Sequence, residues 1–175
     1  SGQAAAGAPS GAAVADLPFK ASDAIGVLMA YSAKVRIDQI GSNDTTDTLT
    51  NGVSSRRNQL LMDISSELGV ASVDGAAEAT LDKLAQIVNK AAPNYKPFGA
   101  VLSEALRDRL RSLFGAAGVK QQYIRDRVTN VWQLGEGWVA SVLATLLLDT
   151  REGASSRGGD LSKLPTAAVQ NKPEA

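Results

Sequence analysis

Asn51-Gly52-Val53-Ser54-Ser55-Arg56-Arg57-Asn58-Gln59-Leu60-Leu61 joins a turn to the start of an amphipathic helix. Val53, Arg57, Leu60/Leu61, Ile64 and Leu68 recur at steps of three and four, which puts an apolar stripe on one helix face. Gly69 then ends the helix. Asn51 and Gly52 supply the turn, because both tolerate backbone conformations that a Cβ normally forbids. Ser54 is therefore presented to solvent rather than buried. Two readings of it stand at this point: a cap that bonds an orphan N–H of the first helical turn, or a hydroxyl offered for chemistry. The sequence on either side has to separate them.

A chain of 175 residues, 44% of them hydrophobic, is long enough to bury a real core as one domain or as two small ones sharing an interface. Lys and Arg total 18, as do Asp and Glu, so no excess of positive charge asks for nucleic acid or an anionic membrane as a partner. Cysteine is absent, which removes disulfides, thiol nucleophiles and thiolate metal sites and leaves a cytoplasmic setting as the simpler expectation. Histidine is absent too, so Ser-His-Asp catalysis and a histidine metal centre are excluded. No basic and apolar leader opens the sequence, and its longest apolar run falls far short of the ~20 residues that cross a bilayer.

Residues 1–17 are dominated by Ala, Gly, Ser and Pro and read as a flexible linker, since such a composition cannot offset its ordering entropy. Residues 152–175 read the same way, interrupted by Gly153, Gly158, Gly159, Pro165 and Pro173. A body tethered at both ends suggests a module of a longer polypeptide; frayed termini of an independent protein are the alternative. Between the tethers, a first helix is expected from Lys20 to Arg36 with Ile25, Leu28, Tyr31/Ser32 and Val35 inward, Gly26 being offset by a close neighbour. From Asp38 to Val53 the chain is too polar and turn-rich for a helix and reads as a long loop pinned by Ile40 and Leu49. After the Ser54 helix, a short helical turn is expected near Asp74 to Glu78. A further helix is capped by Thr80 and closed at Ala91-Ala92-Pro93, with Leu81, Leu84, Ile87 and Val88 as its stripe.

Three more helices are expected beyond Pro93, at residues 97–114, from Lys120 to Leu134 with Tyr123/Ile124, Val128 and Val131/Trp132 inward, and from Trp138 to Asp149. The last is apolar nearly all round and should be central to its subdomain. From Lys96 to Arg127 seven basic residues face three acidic ones, whereas residues 20–92 hold seven against nine, so the charge is mildly bipolar. A helix-turn-helix with Arg125 and Arg127 on a recognition helix is disfavoured by the balanced total. Glu104 and Asp108, four apart, imitate a catalytic pair but sit among arginines that make surface ion pairs with them the simpler reading.

Lys20-Ala21-Ser22, Asp38-Gln39-Ile40, Leu49, Gly52-Val53-Ser54-Ser55, Asn58, Leu60-Leu61 and Glu67-Leu68-Gly69 together resemble an acyl carrier protein (ACP) domain, over residues 18–150. The closest likeness is to the carrier domains embedded in fungal and actinobacterial type I fatty acid synthases. The resemblance implies an all-α fold: a four-helix bundle with one short helix over residues 18–93, and a helical structural subdomain over 94–151 that free-standing carriers lack. It further implies that Ser54 carries 4'-phosphopantetheine delivered from coenzyme A by a phosphopantetheinyl transferase, and that an acyl chain is held on that arm as a thioester. The implied partners are the synthase's own ketoacyl synthase, ketoreductase, dehydratase, enoyl reductase and acyltransferases, with no chemistry performed by the carrier itself. A helical scaffold tethered by two linkers, with Ser54 only a cap, is the competing class.

Two departures bear on the site. Free-standing carriers usually have Asp-Ser-Leu at the attachment turn, whereas Val53-Ser54-Ser55 stands here and leaves Ser55 as an alternative. Arg56 and Arg57 replace an acidic helix opening, and cations at a helix N-terminus oppose the macrodipole. A phosphodiester on Ser54 would reverse that balance and make both arginines candidate phosphate contacts; the alternative is that both are solvated surface.

Overall fold

The computed structural model describes residues 14–116 and 118–163, and among them the regular structure is helical. Seven α-helices follow in order: α1 (Ala21–Ala33), α2 (Thr46–Leu49), α3 (Ser54–Leu68), α4 (Leu81–Ala91), α5 (Ala100–Phe114), α6 (Gln121–Asp126) and α7 (Glu136–Asp149). The expected all-α architecture is thus the observed one. No helix among the described residues is long and apolar enough to cross a membrane.

Helix α1 is the hub. Ala21, Ala24, Ile25, Val27, Leu28, Met29 and Ala30 are all buried, so it is enclosed nearly all round, with α3, α4, α5 and α7 packed about it. Small residues let those neighbours approach, and the buried alanines of α1 serve that purpose. The expected close neighbour of Gly26 itself is not there: a Cβ built on it would meet nothing within 4 Å. The helix also stops at Ala33, short of the expected Arg36, because Lys34 takes a left-handed conformation at φ 56°. The same hydrophobic cluster runs on through Leu84 and Val88 of α4 to Leu102 and Leu106 of α5 and Leu143 and Leu147 of α7.

The segment from Asp38 to Val53 is not one long loop. Thr45 accepts a hydrogen bond from the Thr48 N–H at 3.2 Å, and Asp44 accepts from the Gly41 N–H and the Thr48 hydroxyl, both at 2.8 Å. These short polar side chains nucleate α2 instead of preventing it. Leu49 is buried and Ile40 packs on the same core, which is the pinning expected of them. Residues 74–78, by contrast, form turns without a helix, so the short member of the bundle is α2. In α3, burial begins at Leu60 and continues through Ile64, Glu67 and Leu68; Val53 lies 40% exposed, outside the stripe expected to include it. Thr80 stands at the N-cap of α4 but its side chain makes no capping bond.

The expected continuous helix from Lys120 to Leu134 divides into α6 and a π-helical turn at Arg127–Val131, where the Trp132 N–H donates to the Arg127 carbonyl at 3.1 Å. The extra residue in that turn rotates the chain beyond it. Leu134, beyond the turn, goes inward, and Val128 is buried as expected, while Val131 and, ahead of the turn, Tyr123, both expected inside, are exposed. Helix α7 is buried along most of its length, as its composition requires.

Residues 14–17 and 152–162, expected to be linker, are fastened to the body. Asp16 accepts the Gly137 N–H at 3.0 Å, and the Ala15 carbonyl accepts the Trp138 indole N–H at 2.9 Å. A Cβ on Gly137 would run into the Leu17 carbonyl, which is why glycine opens α7. At the other end Arg151 is buried and donates to the carbonyls of Ala30, Val35 and Leu148 at 2.7, 2.8 and 3.0 Å, closing the open C-terminus of α1. Arg157 then grips Asp44 with two bonds of 2.7 and 2.8 Å, and Leu161 is buried. Residues 152–162 are accordingly a strap over the body, not a linker. The linker readings of 1–13 and 164–175 lie outside the described residues.

The Ser54 turn and the candidate attachment site

The turn before α3 is built as the sequence implies. Asn51 and Gly52 both adopt left-handed conformations, at φ 54° and 72°. The Gly52 N–H donates to the Asp47 carbonyl at 2.9 Å and the Val53 N–H to that of Thr50 at 3.0 Å, tying the turn to α2. Val53 occupies the N-cap position, with no side chain able to cap, and Ser54 is the first helical residue. Ser54 is thus not the cap of this helix. Ser54 is exposed to solvent, as is Ser55.

The charge at this end is positive. The first intrahelical bond runs from the Arg57 N–H to the Val53 carbonyl at 2.9 Å, so the preceding amides of the first turn point outward without a side-chain acceptor. No acidic residue occupies that turn. The two arginines differ in their engagement. Arg57 reaches back to Asp47 at 3.0 Å, a pair whose side chains are 35% and 52% exposed and which contributes about 0.2–1 kcal/mol at most. Arg56 is exposed and, among the described residues, has no ion-pair partner. The structure therefore brings Ser54, Ser55 and Arg56 together at one solvent-facing helix end, with Arg57 already held toward α2. An exposed serine, uncapped amides and an unpaired guanidinium suit a phosphate-bearing group.

The opposite end of α3 holds a feature that the residues did not disclose. Glu67 is 2% exposed, and its carboxylate accepts the Tyr95 hydroxyl at 2.6 Å, the Gly99 N–H at 2.6 Å and the Leu102 N–H at 2.7 Å. It caps α5 from another helix, where negative charge also meets the positive end of the dipole. Burial, with the Glu67 carboxylate beside it, drives the Tyr95 phenol far above its ordinary pKa. Gly99 has to be glycine because a Cβ there would overlap the Glu67 backbone. The available signal was a carboxylate standing among Ile64 and Leu68 on the inward face of a helix. Beside the middle of α3, Leu61, Met62 and Ser65 line an open cleft of about 510 Å³ against the turns at 73–78, and Met62 is 63% exposed.

The described body is helical, and it exposes Ser54 at the first position of α3. The model of the fatty acid synthase subunit alpha acyl carrier domain family matches residues 15–157. The chain is 31% identical over 149 residues to the fatty acid synthase subunit alpha of Schizosaccharomyces pombe, covering 85% of this chain and 8% of that protein. It is 31% identical over 152 residues to the same subunit of Lachancea kluyveri, covering 84% and 8%. The chain belongs to the family of acyl carrier domains of fatty acid synthase alpha subunits. It spans about 8% of the length of these relatives.

Proposed function

We propose that Ser54 is the attachment point of a 4'-phosphopantetheine arm, and that the chain shuttles an acyl group among the active sites of a fatty acid synthase. The observation that carries this reading is the placement of Ser54: exposed, first in α3, and free of a capping role. When bound, the arm supplies a terminal thiol that holds the acyl chain as a thioester. The protein's own contribution is electrostatic and positional. The outward amides of the first turn and the Arg56 guanidinium neutralise a phosphodiester at Ser54, and Arg57 joins them if its weak pair with Asp47 opens. The turn fixed by Asn51 and Gly52 keeps the attachment point clear of the bundle, so that this end of α3 can reach the mouth of a partner's pocket.

On this reading the chain performs no chemistry of its own and works in the cytoplasm. Its partners are a phosphopantetheinyl transferase and the ketoacyl synthase, ketoreductase, dehydratase, enoyl reductase and acyltransferases of the same multienzyme. Incubation with coenzyme A and a broad phosphopantetheinyl transferase, followed by intact mass measurement, tests it. One arm is added to the wild type and none to Ser54→Ala. An adduct retained by Ser54→Ala moves the site to Ser55, which is also exposed. No adduct at all with a competent transferase leaves the tethered scaffold.

A further inference from the structure

A groove of about 460 Å³ opens between α5 and the segment leading into α6, and none of the Ser54 turn residues lines it. Arg107, Arg111, Lys120 and Arg125 line it, over a floor that includes Leu110 and Val119, and no Asp or Glu is among its lining residues. Arg107 and Arg111 are one helical turn apart on the same face of α5, a spacing at which like charges repel by about 0.2–0.5 kcal/mol. Both are exposed, and neither has an ion-pair or hydrogen-bond partner among the described residues. Lys120 makes one long bond to the Ala116 carbonyl at 3.4 Å, and Arg125 is paired with Glu136. Three cations thus line a partly apolar groove without a close ion pair among the described residues, although Glu104 and Asp108 stand one turn before Arg107 and Arg111 on α5.

We propose that this groove docks a carboxylate-rich protein surface presented by another domain of the same synthase. That the occupant is a domain of the synthase rests on the carrier reading; the chemistry of the groove does not. A protein surface is favoured over a small anion because the cations are spread along an open, exposed cleft, whereas a small-anion site gathers buried donors about one point. Nucleic acid is disfavoured because basic and acidic residues balance at 18 each over the whole chain. Exposed charges act at long range and are screened by salt, so the contact steers encounter and releases readily, as a shuttling body requires.

Titrating the isotope-labelled chain with a hexaglutamate peptide at low ionic strength, followed by amide NMR, tests the inference. Shifts are expected at Ser103, Arg107, Arg111 and Val119 to Gln122. Arg107→Glu/Arg111→Glu should weaken binding at least about fivefold, Arg107→Gln/Arg111→Gln less, and physiological salt should weaken it in the wild type. In the intact synthase the charge-reversed pair should lower turnover severalfold while arm loading at Ser54 stays at the wild-type level. The proposal is overturned by shifts centred on Arg56, by equal affinity in the charge-reversed variant, or by tighter binding of pyrophosphate or a short DNA duplex at the same amides. Self-association of the chain through the groove, or synthase turnover that the reversal leaves unchanged, overturns it as well. Absence of loading in the wild type would sink the carrier reading alone, because the peptide titration does not use the arm.

Discussion

Replacing Glu67 by glutamine keeps the shape of the side chain and removes one acceptor from a site that uses both. Oε2 accepts the Tyr95 hydroxyl and the Gly99 N–H, and Oε1 accepts the Leu102 N–H. In the amide, whichever way it is turned, one backbone N–H of the α5 terminus meets another N–H. With the oxygen toward Tyr95 and Gly99, Leu102 is stranded; with the oxygen toward Leu102, Gly99 is. A stranded buried donor costs about 1–3 kcal/mol, and the surviving bonds lose the charge assistance that makes a carboxylate acceptor roughly twice as strong. The sum is about 3 kcal/mol for Glu67→Gln, against about 1 kcal/mol for Tyr95→Phe, which removes a donor and leaves both backbone amides satisfied. At this chain length that is a fall in Tm of roughly 6–12 °C for Glu67→Gln. Urea unfolding followed by far-ultraviolet circular dichroism and by tryptophan fluorescence measures it, the latter reporting the second half of the chain, where Trp132 and Trp138 reside. If Glu67→Gln costs less than about 1 kcal/mol, or less than Tyr95→Phe, the carboxylate is not the cap of α5 and the account of this joint is wrong.

Gly26→Ala should stabilise the protein by about 0.5–1 kcal/mol, since the added methyl meets nothing within 4 Å and the helix gains propensity; a lower urea midpoint would contradict this. Gly137→Ala should destabilise by more than about 2 kcal/mol through collision with the Leu17 carbonyl, and an unchanged Tm would show that the crossing of residues 15–17 over α7 is loose. Hydrogen bonds from Arg157 hold the Asp44 carboxyl at about 2, below its ordinary 3.8, against the opposing effect of burial. A carboxylate depressed on folding stabilises above its unfolded pKa and loses that contribution as pH falls toward the folded one. Discounted for the partial exposure of Arg157, the stability advantage of wild type over Asp44→Asn should be about 1–2 kcal/mol near neutrality and vanish between about pH 4 and pH 2. A pH-independent difference between the two proteins would show that Asp44 acts through packing alone.

The features legible in the sequence were local. Asn51-Gly52 and Gly69 announce left-handed positions by residue type, and the helices around them come from spacing, because each signal and its consequence lie within one turn of chain. Ser54 was legible as an exposed residue for the same reason. Helix α2 was not, because the Thr45 and Asp44 side chains that nucleate it have the composition of a loop and differ from one only in what they bond. The π turn had no pattern to read, since one short turn of i to i−5 bonding leaves the hydrophobic spacing of a helix almost intact. Glu67 and Arg151 were illegible for a more general reason. The partners of Glu67 are 28 to 35 residues away, and two carbonyls bound by Arg151 are 116 and 121 residues away. A charge reads as surface until the fold delivers its partner.

Those distant contacts also explain how a Ser54 end with so little holding it keeps its place. Helix α3 begins without a capping side chain, and the Ser54 turn is tied mainly to α2 through Asp47. Helix α2 is a single turn and cannot stand alone; it depends on Asp44, whose carboxylate is gripped by Arg157. Arg157 is positioned in turn by a strap that Arg151 and Ser156 fasten to the carbonyls at the end of α1. From the other side, Glu67 locks the far end of α3 onto α5. The second half of the chain is therefore a fixture that holds both ends of the Ser54 helix, where the isolated helix would have no means of doing so. Bending the body would break the contacts of a buried charge at one end of α3 or the other, so the Ser54 end moves with the body as one piece.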